Sequence, residues 1–202
     1  MVQFETAWNW QSDWRRNLLA DSSFPQAIWF LEHPACFTFG RGADPSNLLF
    51  NTKKNNLNLY RIDRGGDVTH HLQGQLVVYL VIDLNRYKKD LSWYLRQLEQ
   101  VLIDLLDCLE LQGQRMSGLT GVWCQNRKVA SIGVGCRRWI TQHGLALNVN
   151  CDLEGFRQIN PCGLDGSMMG KLDSWIPGIT IEDVHPLMKK CLEKRFRLDW
   201  KN

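Results

Sequence analysis

The strongest constraint in this sequence is an uninterrupted apolar run, QLVVYLVIDL, at residues 75–84. Runs of this length that are rich in Val and Leu are typical of a strand that is buried on both faces. We therefore predict that residues 75–84 form a central strand and that the rest of the chain covers a sheet. No apolar run reaches the roughly 18 residues of a membrane-spanning helix, so we expect no membrane span.

Length and charge restrict the remaining possibilities. The chain has 202 residues, 44% of them hydrophobic, which suits a single domain over residues 1–202. The net charge is +3, and the basic residues are scattered. Nucleic-acid-binding proteins usually concentrate Lys and Arg on one face, so we expect no nucleic-acid partner. A mild basic excess is compatible with an acidic protein partner.

The cysteine pattern argues against disulfides and against a zinc site. The chain has seven cysteines, an odd number, without a CxxC pair. Disulfide frameworks and zinc sites use even or closely spaced cysteines. We expect reduced thiols in a cytoplasmic compartment, and no metal. The N-terminus lacks a long apolar signal core and carries Asp and Glu, which disfavours a transit peptide.

Three segments have the pattern of helices. In residues 6–20, Trp10, Trp14 and Leu18 recur at helical spacing and predict a buried stripe. Residues 91–110 carry a leucine stripe and are the strongest helix. Residues 180–198 predict a C-terminal helix that is capped by Thr180 and has Pro186 in its first turns.

The remaining segments predict strands and loops. Two buried strands are expected within residues 26–42, broken at His33-Pro34, and further strands at 59–66, 67–71, 120–125, 127–136 and 143–151. A tight turn is expected at Asn126, and residues 43–58 and 152–166 are expected to be loops. Strands and helices do not alternate, so the pattern favours an α+β fold over a doubly wound one.

Cys162 is the first candidate for chemistry. It lies in the sequence NPCG, within a Pro-Gly loop that has few side chains to bury it. A buried structural role is the commoner explanation for any one cysteine, and it suits the other six. An exposed thiolate at Cys162 would need a nearby positive charge to lower its pKa.

Lys128 is the candidate for that charge. It begins a strand that is otherwise apolar and small, next to Arg127. The simplest interpretation is a solvated lysine at the end of a hairpin. The alternative places Lys128 in a pocket, where it would stabilise a thiolate as a cation or transfer a proton when neutral.

Two glycine-containing segments complete the candidates. In HGLALNV, Gly144 and Ala146 leave one face of a strand open to close approach by a ligand, and His143 is either a core histidine or a site residue. In RGGDVTHHLQGQ, residues 64–75, the pattern matches no phosphate-binding motif. A metal site at His70-His71 is also disfavoured, because neighbouring residues on a strand point to opposite faces.

Taken together, these segments resemble the lipoyl (octanoyl) transferases. The shared segments occur in order along most of the chain: LEHPACFTFGRG, RGGDVTHHLQGQLVVYLVIDL, GVWCQNRKVASIGVGCRRWITQHGLALNVNCDL and INPCGL. These enzymes move an octanoyl group from acyl carrier protein to a lysine of lipoyl domains. The acceptors are the lipoyl domains of 2-oxoacid dehydrogenase E2 subunits and the glycine cleavage H protein.

The resemblance implies a fold and a set of site residues. The fold would be a single α+β domain, a mixed β-sheet flanked by helices, like that of biotin and lipoate protein ligases. Cys162 would carry an acyl-thioester intermediate that Lys128 tunes, without a cofactor, ATP or a metal. The octanoyl group would be held by Arg64, Gly65, Gly66, Asp67, Val68, Thr69, His70, His71, Ser131, Ile132, Gly133, Gly144, Leu145 and Ala146. His71, more than His70, would lie near the thioester.

The sequence departs from the family pattern in the loop after His71. The family usually reads His-Gly-Pro-Gly-Gln there, and this chain has Leu72-Gln73 before Gly74. The chain also begins close to its first helix, which suggests a short or missing N-terminal strand. Rival interpretations are an ATP-dependent lipoate or biotin ligase, an octanoyl amidotransferase, and a non-catalytic acyl-binding module.

Overall fold

Two β-sheets and three α-helices make up the part of the chain that the structure describes. The computed structural model describes residues 1–50 and 58–200, apart from the side chain of Cys162. The strands are β1 Ala27–Leu31, β2 Cys36–Phe39, β3 Leu59–Arg61, β4 Val68–His71, β5 Gln75–Val81, β6 Gly113–Met116, β7 Leu119–Cys124, β8 Arg127–Arg137 and β9 Ile140–Asn148. The α-helices are α1 Phe4–Ala20, α2 Leu91–Cys108 and α3 Ile181–Phe196.

The larger sheet has six strands in the order β1-β5-β9-β8-β7-β6, and neighbouring strands are antiparallel. Every residue of β5 is buried. Strand β5 lies between β1 and β9, with Val77 opposite Ala146. The prediction of a buried strand between two others is therefore confirmed for residues 75–81, and the strand ends three residues before the predicted boundary.

The smaller sheet has the order β3-β2-β4, and it contains a parallel pair, β2 with β3. The break expected at His33-Pro34 separates β1 from β2 and sends the chain from the larger sheet to the smaller one. The loop between β3 and β4 then returns to the larger sheet, where the Gly65 N–H donates to Val134 O at 2.8 Å. This loop holds the two sheets together.

The larger sheet is covered on both faces. On one face, α2 and α3 bury side chains such as Leu102 and Met188 against Val78 and Leu145. On the other face, Phe4 and Ala7 of α1 pack with Val77, Tyr79 and Ala146. Burial on both faces explains why β5 is apolar at every position rather than at alternate ones. In the described ranges, no helix combines the length and the apolar character needed to cross a membrane.

The first helix forms where the sequence predicts it, but the expected apolar stripe is wrong at one position. Trp10 is 41% exposed, whereas Gln11 is fully buried. The side chain of Gln11 accepts a hydrogen bond from the backbone N–H of His143 at 2.8 Å. A backbone donor of the sheet therefore needs a polar residue on this helix face, and the Trp10 ring is left at the surface.

Other boundaries differ in small ways from the sequence-based expectations. Strand β6 was not predicted, because Gly113–Met116 is short, mostly polar and at the edge of the sheet. The tight turn at Asn126 is confirmed, with positive φ at Gln125 and Asn126. Helix α3 begins with a capping box between Thr180 and Asp183, as Thr180 indicated, and Pro186 lies inside the helix. Part of the loop predicted at 43–58, residues 51–57, lies outside the described residues.

Two leucines on α2 provide a test of the core. Leu102 is fully buried and Leu91, on the same helix, is 38% exposed. We expect Leu102→Ala to lower the free energy of unfolding by about 2–5 kcal/mol, because it leaves a cavity. The matched change Leu91→Ala should cost less than about 1 kcal/mol. Urea denaturation of both variants measures the difference, and equal losses would contradict this description of α2.

Candidate active site

A narrow cavity lies between the two sheets and carries most of the residues that the sequence singled out. Of those candidates, Arg64, Gly66, Val68, Thr69, His71, Lys128, Ser131, Ile132, Gly133, Gly144, Leu145 and Ala146 line it. The lining also includes Phe4, Ile62, Tyr79, His143 and Pro161. Gly65, Asp67 and His70 do not line this cavity. Residues from segments far apart in the chain therefore meet at one place.

The floor of the cavity is made by small residues on β8 and β9. Ser131 is paired with Ala146, and Gly133 with Gly144. A Cβ atom at Gly133 would lie 2.9 Å from Cδ of Arg64, so the glycine allows the Arg64 side chain to cross the strand. At Gly144, a Cβ atom would meet the backbone O of Val78 at 2.2 Å. At both glycines, the space that a side chain would fill is needed by another residue of the protein: Arg64 at Gly133 and the backbone of Val78 at Gly144.

Arg64 is buried and braces the loop between β3 and β4. Its Nη2 donates to the backbone O of Thr38 at 2.8 Å and to Oγ1 of Thr38 at 2.9 Å. Its Nη1 donates to the backbone O of Gly65 at 3.0 Å. These bonds fix the turn at Gly66, whose φ of 83° suits glycine.

A β-bulge directs Lys128 into the cavity. On β8, Ala130 and Val134 face the helix-covered core. Because side chains alternate between the two faces of a sheet along a regular strand, Lys128 would be expected on that side as well. However, Val122 and Trp123 are consecutive on β7 and pair with Ala130 and Lys128, which leaves Val129 as an extra residue. Bulges of this kind redirect side chains.

The consequence of the bulge is that Lys128 is 1% exposed and lines the cavity. Val129 takes the place in the helix-covered core that alternation would have given to the lysine. The interpretation of Lys128 as a solvated hairpin residue is therefore wrong. Its side chain has the location that the alternative interpretation requires.

The side chain of Lys128 packs against Trp123 and Gly121. Its Nζ lies 5.2 Å from the ring centroid of Trp123, a distance at which the aromatic face attracts an ammonium group. A Cβ atom at Gly121 would lie 2.9 Å from Cε of Lys128, so the glycine provides room for the lysine. The backbone O of Lys128 accepts a hydrogen bond from the Gly170 N–H at 3.0 Å.

Cys162 lies in a short 3-10 turn, Pro161–Gly163. Pro161 lines the cavity together with Lys128. The side chain of Cys162 is outside the part of the chain that the structure describes, so only its backbone position is known.

The other cysteines have different environments. Cys36, Cys124, Cys151 and Cys191 are buried, Cys136 is half-buried and Cys108 is exposed, and these six are free thiols. Burial raises the pKa of Cys36 and of Cys151 to about 12, which suppresses the reactive thiolate. The expected buried role of the six cysteines other than Cys162 is confirmed for these four and is wrong for Cys108, which is exposed.

The two adjacent histidines point in opposite directions, as alternation predicts. His71 lines the cavity, and its Nδ1 is 2.8 Å from Oε1 of Gln75. His70 instead stacks on Phe37, with ring centroids 4.3 Å apart. Burial lowers the pKa of His71 well below its usual value, so its ring is neutral. Among the described residues, no group of three or more His, Cys, Asp or Glu side chains could hold a metal ion.

The sequence analysis named His143 but missed its partner Asp63, whose side chain is 46% exposed and does not line the cavity. Nε2 of His143 lies 2.9 Å from Oδ1 of Asp63, and Arg15 contacts the same carboxylate at 3.2 Å. The hydrogen bond from His143 holds the pKa of Asp63 well below its usual value. Burial lowers the pKa of His143 despite the carboxylate. Asp63 directly precedes Arg64, and its place beside a predicted site residue is the sequence feature that could have identified it.

The loop that departs from the family pattern forms a tight turn without the proline. The Gln75 N–H donates to the backbone O of Leu72 at 3.3 Å, and Gly74 has a φ of 82°. The Gly74 N–H donates to Oε2 of Glu32 at 2.7 Å. Leu72 is buried in the smaller core that includes Phe37. Packing and a side-chain acceptor therefore fix the loop that a proline would otherwise restrict.

Comparison with known proteins gives consistent results. The family described as "Lipoyl protein ligase A/B catalytic domain" matches residues 4–193. An octanoyltransferase of Prochlorococcus marinus is 62% identical over 200 residues, which cover 99% of this chain and 89% of the relative. An octanoyltransferase of Synechococcus sp. (strain WH7803) is 56% identical, over 98% of this chain and 82% of the relative.

Solved structures show the same fold at low sequence identity. A lipoate-protein ligase A bound with ATP matches with a TM-score of 0.70 at 16% identity, over 88% of this chain and 75% of the other. A putative lipoate protein ligase from T. acidophilum with bound lipoic acid gives 0.73 at 15% identity, over 100% and 85%. The expected α+β fold of the lipoate ligase type is confirmed.

The neutral buried histidines predict a pH dependence of stability. The pKa values of His33, His70, His71 and His143 are lowered, with burial as the first cause in each case. The unfolded chain therefore binds more protons below its histidine pKa of about 6.5, and acid favours unfolding. Between pH 7.5 and 5.5, the free energy of unfolding should fall by up to about 1.4 kcal/mol for each histidine that stays neutral.

Urea denaturation at the two pH values measures this fall. The variant His71→Gln should show a smaller fall, because it removes one of the titrating groups. Equal unfolding free energies at both pH values would contradict the assignment of these rings as neutral.

Proposed function

Because this chain belongs to the lipoyl protein ligase A/B catalytic-domain family, we propose that it transfers an octanoyl group to lipoyl-domain lysines through an acyl-Cys162 thioester. Octanoyl transfer is the activity that its curated relatives are named for, at 56–62% identity. The observation that carries the catalytic assignment is the burial of Lys128 in the cavity that Pro161, the neighbour of Cys162, also lines.

In the first step, the Cys162 thiolate attacks the carbonyl carbon of the octanoyl thioester. A new carbon–sulfur bond forms, and the bond to the carrier thiol breaks. The Lys128 ammonium stabilises the attacking thiolate and gives a proton to the departing carrier thiolate. One thioester replaces another at similar free energy, so the step needs no ATP.

In the second step, the lysine amine of a lipoyl domain attacks the acyl-Cys162 thioester. A lysine in water has a pKa near 10.4 and arrives protonated, so a base must remove a proton. The ammonium loses that first proton to solvent, and Lys128, which is neutral after the first step, accepts the second proton from the attacking nitrogen. The amide forms, Cys162 leaves as a thiolate, and both residues return to their initial states.

The cavity would hold the acyl chain between the sheets. Ile62, Val68 and Leu145 provide apolar surface, and Ser131 and Ala146 leave space on the floor. Of the candidates for binding, Gly65, Asp67 and His70 are not among the residues that line the cavity, so we assign them indirect roles. Arg64 acts by holding the loop in place.

The partners follow from the reaction. The donor is octanoyl-acyl carrier protein, and the acceptors are the lipoyl domains of 2-oxoacid dehydrogenase E2 subunits and the glycine cleavage H protein. Six unpaired cysteines among the described residues support a reducing, cytoplasmic location.

The nucleophile is tested by intact mass. Mixing the protein with octanoyl-acyl carrier protein should add one octanoyl group, and Cys162→Ala should abolish the adduct. The matched control Cys108→Ala removes an exposed thiol elsewhere and should leave the adduct unchanged. Persistence of the adduct in Cys162→Ala would refute the assignment. Formation of octanoylated lipoyl domain from free octanoate, ATP and Mg²⁺ would instead indicate a ligase.

The role of Lys128 is tested by the rate of transfer. We expect Lys128→Ala to slow octanoyl transfer by at least about a hundredfold, the usual scale for loss of a general acid–base group. The control Lys190→Ala removes an exposed lysine of α3 and should transfer at the normal rate. A near-normal rate for Lys128→Ala would show that its burial serves packing alone.

A further inference from the structure

Asp67 belongs to the RGGD sequence but is turned away from the cavity toward a neighbouring loop. Its Oδ1 accepts hydrogen bonds from the backbone N–H of Val68 at 2.7 Å and of Asp44 at 3.2 Å. Its Oδ2 accepts a hydrogen bond from Nδ2 of Asn47. The carboxylate therefore fixes the loop around Asp44–Asn47 against the start of β4.

The same loop is bound on its other side to the segment that leads to Cys162. The backbone O of Asn47 accepts a hydrogen bond from the Asn160 N–H at 2.8 Å. Leu48 forms a β-bridge with Ile159, and the Leu49 N–H donates to the backbone O of Gln158 at 2.9 Å. The loop thus pairs with residues 158–160 as a short strand would.

Asn160 in turn begins the 3-10 turn that contains Cys162. Its backbone O accepts a hydrogen bond from the Gly163 N–H at 3.1 Å. Ile159 is fully buried and Pro161 is buried, so the turn begins at a fixed place. Displacing Asn160 would displace the backbone of Cys162 with it.

We propose that Asp67 and Asn47 are positioning residues for the Cys162 segment, acting through the chain of contacts Asp67–Asn47–Asn160. This inference rests on the proposed role of Cys162 as the nucleophile. Neither side chain lines the cavity. Their contribution is to hold the Pro161–Gly163 turn beside the cavity that Pro161 and Lys128 line.

The chemistry of the pair explains why a carboxylate is used. Asp67 receives three N–H donors, and a carboxylate has two oxygens to accept them, whereas an amide has one. A charged acceptor also makes stronger hydrogen bonds than a neutral one. Replacing Asn47 by Asp would oppose two carboxylates and push the loop away from β4.

Exchanging the two side chains provides a test, because donor and acceptor can trade places. In Asn47→Asp, we expect the rate of Cys162 acylation by octanoyl-acyl carrier protein to fall by at least about tenfold, the equivalent of one charged hydrogen bond. In the double variant Asn47→Asp/Asp67→Asn, an amide N–H of residue 67 donates to the carboxylate of residue 47. Its acylation rate should return to within about threefold of the wild-type rate. A remaining difference of that size is smaller than the effect expected from the loss of one charged hydrogen bond.

Rapid quenching followed by intact mass spectrometry measures the acylation rate, and thermal unfolding of each variant is recorded in parallel. The matched control Asp44→Asn removes a carboxylate from the same loop but keeps the acceptor for the Ser46 N–H, so it should acylate normally. Asn47→Ala, which removes the donor without adding charge, should also slow acylation and covers the case in which Asn47→Asp fails to fold.

The outcomes separate this inference from the proposed function. If the wild-type protein forms no adduct at Cys162, the proposed function itself fails. If the wild type forms the adduct and both Asn47 variants acylate at its rate, the positioning inference fails alone. Slow acylation in the exchanged double variant would also overturn it, because the effect would not then pass through the pair. Loss of acylation that merely follows a lower melting temperature would overturn it too, in favour of a general role in stability.

Discussion

Burial of the larger sheet on both faces is the constraint on which the rest of the structure depends. Strand β5 is buried at every position, so neither face of the sheet can be left to water. Helices α2 and α3 cover one face in a continuous apolar core. The other face is covered by α1 and by the smaller sheet. The cavity lies where these two elements meet β8 and β9.

The cavity places a lysine and two histidines within this apolar environment. Burying a lysine is unfavourable unless its surroundings compensate for lost water. The Trp123 face and the gap at Gly121 provide an aromatic contact and room for the Lys128 side chain. By contrast, burial keeps the rings of His71 and His143 neutral. The cavity therefore combines a buried lysine with uncharged histidine rings on its walls.

Much of this arrangement was predictable from local patterns. The periodicity of residues 91–110 predicted α2, the break at His33-Pro34 separated β1 from β2, and alternation placed His71 and His70 on opposite sides. Strand β6 escaped prediction because a short polar edge strand has no apolar period. Trp10 was assigned to the wrong side because helical spacing does not reveal that the backbone of His143 needs Gln11 as an acceptor.

The sequence by itself therefore determined the elements and the family, because apolar period and the order of motifs are local properties of the chain. The tertiary structure alone decided the orientation of Lys128, which depends on an extra residue, Val129, in the pairing of β7 with β8. It also decided that Asp63 meets His143 and that Asp67 meets Asn47 rather than the cavity. Such contacts depend on register and on docking between segments far apart in the chain, and no local pattern records either.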